Sequence, residues 1–224
     1  GSRGLGDVYK RQTLDTQSLR PLFTEWARIM EANKSVLTEL DSVVGDGDLG
    51  LTMSDGFAAA ARYAQQSEER DLGRFFYMAG KAMASAVPST MGTLMASGLM
   101  QAGKAFKGRE TLGLTEAGVL FQAWYDGVQQ RGKAQPGEKT FLDGMAPVLA
   151  ALLAGEEPLT AARNALLQAQ QGVQQTTTMV AKHGRAAIHG ERSRTFVDPG
   201  AMVAQLLIQG YFNFVQAICP SDGR

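Results

Sequence analysis

Three aspartates interleaved with glycines form the densest patch of chemistry in this chain, Asp41-Ser42-Val43-Val44-Gly45-Asp46-Gly47-Asp48-Leu49-Gly50. Glycine admits backbone turns closed to other residues, so the carboxylates of Asp46 and Asp48, and that of Asp41, can converge on one hard cation. Magnesium suits such a site: it takes oxygen ligands, keeps several waters and often completes its shell with a substrate's phosphates. A calcium loop of the EF-hand kind does not, because counting from Asp46 puts Gly50 at the fifth position and Phe57 at the twelfth, where a bidentate glutamate is required. The same residues also suit a solvated acidic turn that caps the next helix.

Three further segments have the residue types of a ligand site. Val87-Pro88-Ser89-Thr90-Met91-Gly92-Thr93 separates two apolar stretches and fits a phosphate cradle at a helix N-terminus, where N–H groups lack partners; Ser89 or Thr90 acting as a plain helix cap fits equally well. Arg131-Gly132-Lys133-Ala134-Gln135-Pro136-Gly137-Glu138-Lys139-Thr140, with Phe141 opening the next helix, offers close backbone approach at a glycine and an apolar ring for a purine face, or a surface turn. Finally, Lys182-His183-Gly184-Arg185 and Asp198-Pro199-Gly200-Ala201 bracket an irregular loop. Arg185 has the planar fork that matches phosphate oxygens, whereas Asp198 followed by Pro199 reads first as a helix cap. The two histidines, His183 and His189, read as loop or surface residues.

The elements that must hold these segments are helical. Leu19, Leu22, Phe23, Trp26, Ile29 and Met30 recur on one face of a 3.6-residue period, and similar spacing predicts helices over 51–65, 72–87, 92–106, 115–130, 141–153, 159–181 and 200–215, eight in all. Alanine and leucine dominate them, no alternating β-branched runs occur, and Pro158 and Pro199 sit where a first helical turn tolerates them, so the class is all-α. Methionines 53, 78, 83, 95 and 100 read as core filler.

Composition narrows the function. Lys+Arg and Asp+Glu both total 22 and form no long blocks, which removes the electrostatic case for nucleic acid or an anionic membrane surface. Apolar runs such as 148–154 fall short of the roughly 20 residues that cross a bilayer, so a soluble chain is expected. A lone Cys219 permits no internal disulfide and agrees with a reducing, cytoplasmic setting. Residues 1–12 are set aside: Gly1-Ser2 has the look of a tag scar, and Asp7-Val8-Tyr9-Lys10-Arg11-Gln12 resembles a translated sequencing adaptor. Residues 217–224 read as a C-terminal tail.

In this order and on an all-α chain, the four segments resemble the nucleotide-binding L subunit of the dihydroxyacetone kinase family, over about 16–210. Asp41, Asp46 and Asp48, the run 131–140, Gly184-Arg185-Ala186 with Gly190-Glu191-Arg192-Ser193, and Asp198-Pro199-Gly200 carry the likeness. It implies an up-and-down barrel of eight antiparallel helices over 13–216, with ADP or ATP and magnesium held at one open end by interhelical loops. By position, Asp41, Asp46 and Asp48 would bind one or two magnesium ions, and Leu49, Gly50, Leu51 and Thr52 would contact nucleotide. Ser89, Thr90 and Met91 would form the phosphate loop. Gly132 and Phe141 would lie near base or sugar, Arg185 near phosphate or ribose, and Asp198, Pro199 and Gly200 beside the pocket.

Two positions depart from the family's usual pattern, both at phosphate handling. Leu49 stands where histidine is usual, and Pro88-Ser89-Thr90-Met91-Gly92 replaces a loop of the type Gly-Gly-Ala-Ser-Gly, which marks a divergent subfamily. The activity implied is phosphoryl transfer from nucleotide to a short ketose or related polyol held covalently on a separate K subunit, with either exchangeable ATP or a tightly held ADP recharged by a phosphotransferase-system protein. The alternative is a degenerate nucleotide-sensing module without transfer.

Overall fold

Leu19 and the buried residues Leu22, Phe23, Trp26, Ile29 and Met30 form the inner stripe of the first helix, α1 (Arg20–Ala32), in a computed structural model that describes residues 12–219. At Asn33 (φ −107°, ψ 15°) the chain kinks and resumes as α2 (Lys34–Val44). That helix is not among those expected, because only Leu37 and Val44 of it are buried, too thin a stripe to mark a period. There follow α3 (Leu49–Gln66), α4 (Leu72–Ala86), α5 (Thr90–Ala105), α6 (Ala117–Gly132), α7 (Phe141–Leu153), α8 (Pro158–Gln175) and α9 (Pro199–Ile218). The helix expected over 159–181 stops at Gln175, where a 3-10 turn, Thr176–Thr178, takes over. The irregular segment before α9 is itself 3-10 helical over Arg185–Thr195, broken at Gly190.

Helix packs on helix in chain order from α3 through α9, α1 packs on α3, and α9 returns to α1. This closed ring of α1 and α3 to α9 is the expected eight-helix up-and-down barrel, while α2 is, among the described residues, a ninth α-helix laid against α3. Two short strands, β1 (Thr13–Leu14) and β2 (Leu112–Gly113), pair antiparallel with Leu14 opposite Leu112. They precede α1 and α6 and therefore lie at the end of the ring away from the segments of interest.

Aromatic rings fill the middle. Trp26 meets Trp124 edge-on at 5.3 Å, Phe57 and Phe121 stack on Trp124, and Trp26 Nε1 donates to the Leu207 carbonyl at 2.9 Å. Gly210 lets α9 come this close, since a Cβ there would sit 2.6 Å from Trp26 Cδ1. With a mean hydropathy of 1.2, α9 is long and apolar enough by composition to cross a bilayer, yet Val203, Ala204, Leu207, Ile208 and Val215 are buried within the ring. Met53, Met83 and Met95 are fully buried, as filler should be.

Gln12, the last residue of the segment set aside above, is tied into the fold: its carbonyl accepts from Leu114 N, and its side chain donates to the Ile218 carbonyl. The tag and adaptor reading of residues 1–11 lies outside the described residues, as does that of 220–224 as tail; α9 itself continues past 216 to Ile218.

Candidate functional site

In an up-and-down ring every second connection falls at the same end. The connections α2–α3, α4–α5, α6–α7 and α8–α9 are such a set, and they are the four segments whose residues suggested chemistry. The N-termini of α3, α5, α7 and α9 therefore share one mouth, each bringing N–H donors and the positive end of a helix dipole.

Asp41 lies in the last turn of α2, not in the loop, and Asp46 and Asp48 lie between α2 and α3. One carboxylate oxygen from each can be chosen so that all three lie within 4.8 Å of one another. Glycine makes this possible in two ways. A Cβ on Gly45 would stand 2.7 Å from Asp41 Oδ1, and Gly47 adopts φ 80°, a left-handed turn that also brings its Cα hydrogen against Ser42. Asp41 Oδ2 accepts the Leu49 N–H at 3.1 Å, so the capping role proposed for the acidic turn falls to Asp41; Asp48, at the cap position, makes no side-chain cap bond.

Charge crowding is visible in the acidities. Burial, then the hydrogen bond and charge of Asp46, then Asp41, push the Asp48 carboxyl up. Asp46 is held low, chiefly by its hydrogen bond to Asp48 and to a smaller degree by Arg185, whose Nε lies 3.5 Å from Asp46 Oδ2. Both side chains of that ion pair are well exposed, so it contributes little to stability. A cluster of hard oxygens that repel each other fits a small divalent cation.

At the second connection Ser89 caps α5, its Oγ accepting from Gly92 N at 3.0 Å, which leaves the N–H groups of Thr90 and Met91 without a protein acceptor among the described residues. Thr90 is exposed and Met91 half-buried. On α3, Leu51 is exposed, whereas Leu49, Gly50 and Thr52 are buried, so Leu49 presents no side chain to the mouth.

The third and fourth segments are knotted together. Asp143 accepts from Gly137 N (2.6 Å) and Lys139 N (2.8 Å), and it also accepts from Thr140 N (3.0 Å). Glu138 faces His183 at 2.8 Å. Gly132 is exposed at the end of α6, but Phe141 is 2% exposed and its ring belongs to the core. Its backbone N instead lies against Gly200, where a Cβ would come within 3.1 Å. Asp198 is the cap of α9, accepting from Ala201 N at 2.8 Å, with Pro199 in the first turn. Lys139, Asp143, Thr176 and Ser193 are buried polar residues of this end to which the sequence gives no individual role. Only Thr140-x-x-Asp143, a capping-box spacing, is there to be read.

Burial pushes the Asp198 carboxyl up to about 7, against the opposing pull of the Ala201 N–H and of Lys139. A carboxyl whose folded pKa exceeds its unfolded value binds its proton more tightly in the native state, so its contribution to stability is full below about pH 4 and is lost as pH rises to about 7. Asp198→Asn keeps an acceptor for Ala201 and removes the titration. Thermal melts at pH 5 and pH 8 should show wild type losing ground to Asp198→Asn at the higher pH; parallel curves would contradict this.

A ring of helices whose mouth collects acidic side chains and helix N-termini defines a helical-barrel domain with oxygen ligands and N–H donors at one end. The chain belongs to the DAK2 domain family, which matches residues 43–213. It is 34% identical over 190 residues to the ADP-binding subunit DhaL of the PEP-dependent dihydroxyacetone kinase of Escherichia coli K12, covering 83% of this chain and 90% of that one. It is also 34% identical over 185 residues to the L-erythrulose 1-kinase of Mycolicibacterium smegmatis, covering 79% of this chain and 32% of that longer protein. The fold is that of the dihydroxyacetone kinase from C. freundii, solved in complex with AMP-PNP and Mg2+: TM-score 0.66 at 22% identity, over 87% of this chain and 33% of that chain.

Proposed function

We propose that this chain, through an L-type domain over 13–216, is the magnesium–ADP or magnesium–ATP subunit of a two- or three-component kinase that phosphorylates dihydroxyacetone or a related short ketose or polyol. The observation that carries this reading is the convergence of Asp41, Asp46 and Asp48 at a mouth ringed by helix N-termini. The kinship with an ADP-binding subunit and with an erythrulose kinase supports it.

Asp41, Asp46 and Asp48 would hold magnesium, one ion or two. Magnesium when bound supplies charge neutralisation on the phosphates. The protein's part is to bind and orient. Thr90 and Met91 offer backbone N–H groups at the start of α5, beside the Ser89 cap, and Gly50 and Leu51 lie in the first turn of α3 with Thr52 behind them. Arg185 stands beside Asp46, where it would meet phosphate or ribose, while Gly132 and the Asp198-Pro199-Gly200 corner would border the nucleotide. Because the sugar would sit covalently on a separate K-type subunit, this chain alone completes no turnover. The donor is exchangeable ATP, or a phosphotransferase-system protein that recharges bound ADP; the PEP-dependence of the E. coli relative favours the second. A cytoplasmic setting agrees with the free Cys219.

A second reading, a nucleotide sensor without transfer, draws on Leu49 and Pro88: the first presents no polar donor to the mouth and the second has no N–H. Calorimetry and reconstitution separate the two. Magnesium-dependent ADP binding, with sugar phosphorylation only after a K-type partner is added, is the expected result. Binding without turnover with any K-type partner selects the sensor, and turnover by the chain alone refutes the two-subunit scheme.

A further inference from the structure

Lys139 is the only buried cation among the described residues, 4% exposed, and no role at the mouth has yet been given to it. Its ammonium donates to three backbone carbonyls outside its own segment: Thr176 at the end of α8, and Arg194 (3.2 Å) and Phe196 at the close of the irregular loop. Among the described residues no carboxylate accepts from it, and Asp198 acts on it only through space. The Lys139 backbone is itself held in the left-handed region at φ 66°, unusual for a residue with a side chain, by the bond from its N–H to Asp143. A buried ammonium is costly unless fully hydrogen-bonded, and a lysine kept inside at such a turn marks a fixed point.

What it fixes is the loop that carries Arg185. That loop has two left-handed joints, Gly184 (φ 64°) and Gly190 (φ 56°), and Arg185 projects from between them to Asp46. Most other polar ties of the loop are internal or go to its own stem: Ser193 accepts from Ala181 N and donates to the Gly190 carbonyl, and Arg194 donates to the Thr178 carbonyl. From the α6–α7 connection the remaining links are those of Glu138 with Lys182 N and with the exposed His183.

We propose that Lys139 is a positioning residue of the nucleotide site: its ammonium clamps the far end of loop 184–196 to the start of α7, so that the glycine-jointed near end keeps Arg185 over the aspartate cluster. The inference rests on the nucleotide-site reading above and adds a residue that touches neither metal nor nucleotide.

The test pairs a ligand-free measurement with a mutant cycle. In Lys139→Met, which keeps an apolar stem, amides of 184–196 should exchange hydrogen at least about tenfold faster while those of α1 and α5 hold. Magnesium-dependent ADP affinity should fall about tenfold in the wild-type background and barely at all in an Arg185→Ala background, although the melting temperature drops equally in both. If Lys139→Met does not fold, Lys139→Arg, which keeps the charge but does not match the carbonyl set, carries the same cycle. Unchanged exchange in 184–196, or an equal loss of affinity in both backgrounds, overturns the role of Lys139 and leaves the nucleotide site standing. Failure of the unaltered chain to bind magnesium–ADP overturns the site and this inference together.

Discussion

Asparagine substituted at 41, 46 and 48 together is expected to lower magnesium-dependent ADP affinity by about 100-fold or more, since losing hydrogen-bonded neighbours of a metal ligand already costs 10–100-fold and here the ligands themselves go. The fold should survive. Asp41→Asn keeps an oxygen for the Leu49 N–H, and removal of charge relieves the mutual repulsion that adds to burial in pushing the Asp48 carboxyl up. Melting temperature in the absence of ligand should hold or rise, in the sense of a site that trades stability for binding. Calorimetry with ADP, with and without magnesium, together with thermal melts, checks both halves. Unchanged affinity removes the basis of the proposed function, whereas a collapse of the melt would show that the carboxylates are structural.

Much of the architecture is readable from sequence because helix period and loop chemistry agree. The ring helices carry buried stripes that repeat every three or four residues, and the four polar segments lie on alternate connections, so closure of the ring brings them together without further instruction. The failures have definite physical causes. Helix α2 leaves little trace in the sequence because it buries only Leu37 and Val44, so Asp41 reads as a loop residue when it rides a helix. The family resemblance puts Phe141 near the ligand's base or sugar, but an aromatic at a helix start can turn its ring inward, and here it does. Lys139 is invisible for a different reason. Its partners lie 37 to 57 residues further along the chain, and a lysine in a polar run looks like surface until the loops are folded over it.

Gly50, expected to contact nucleotide, has in the structure a second duty with a large mechanical consequence. It faces α2, where a Cβ would collide with the Lys34 carbonyl oxygen and the Thr38 hydroxyl. One obstacle is a flexible side chain, the other is backbone. Gly50→Val therefore cannot be absorbed by a rotamer change alone, and it should cost about 3 kcal/mol or more, at the upper end of overpacking effects. Relief comes by moving α2, whose main packing partner is α3. Asp41 sits in the last turn of α2 and reaches across to Leu49, so moving α2 carries that carboxylate away from Asp46 and Asp48. Magnesium-dependent ADP affinity should fall together with the melting temperature. In Gly50→Ala, adding Thr38→Ala should restore part of the stability and not all of it, because the Lys34 carbonyl remains. A glycine needed only for nucleotide approach predicts the opposite division: affinity lost, melt unchanged and no response to Thr38→Ala.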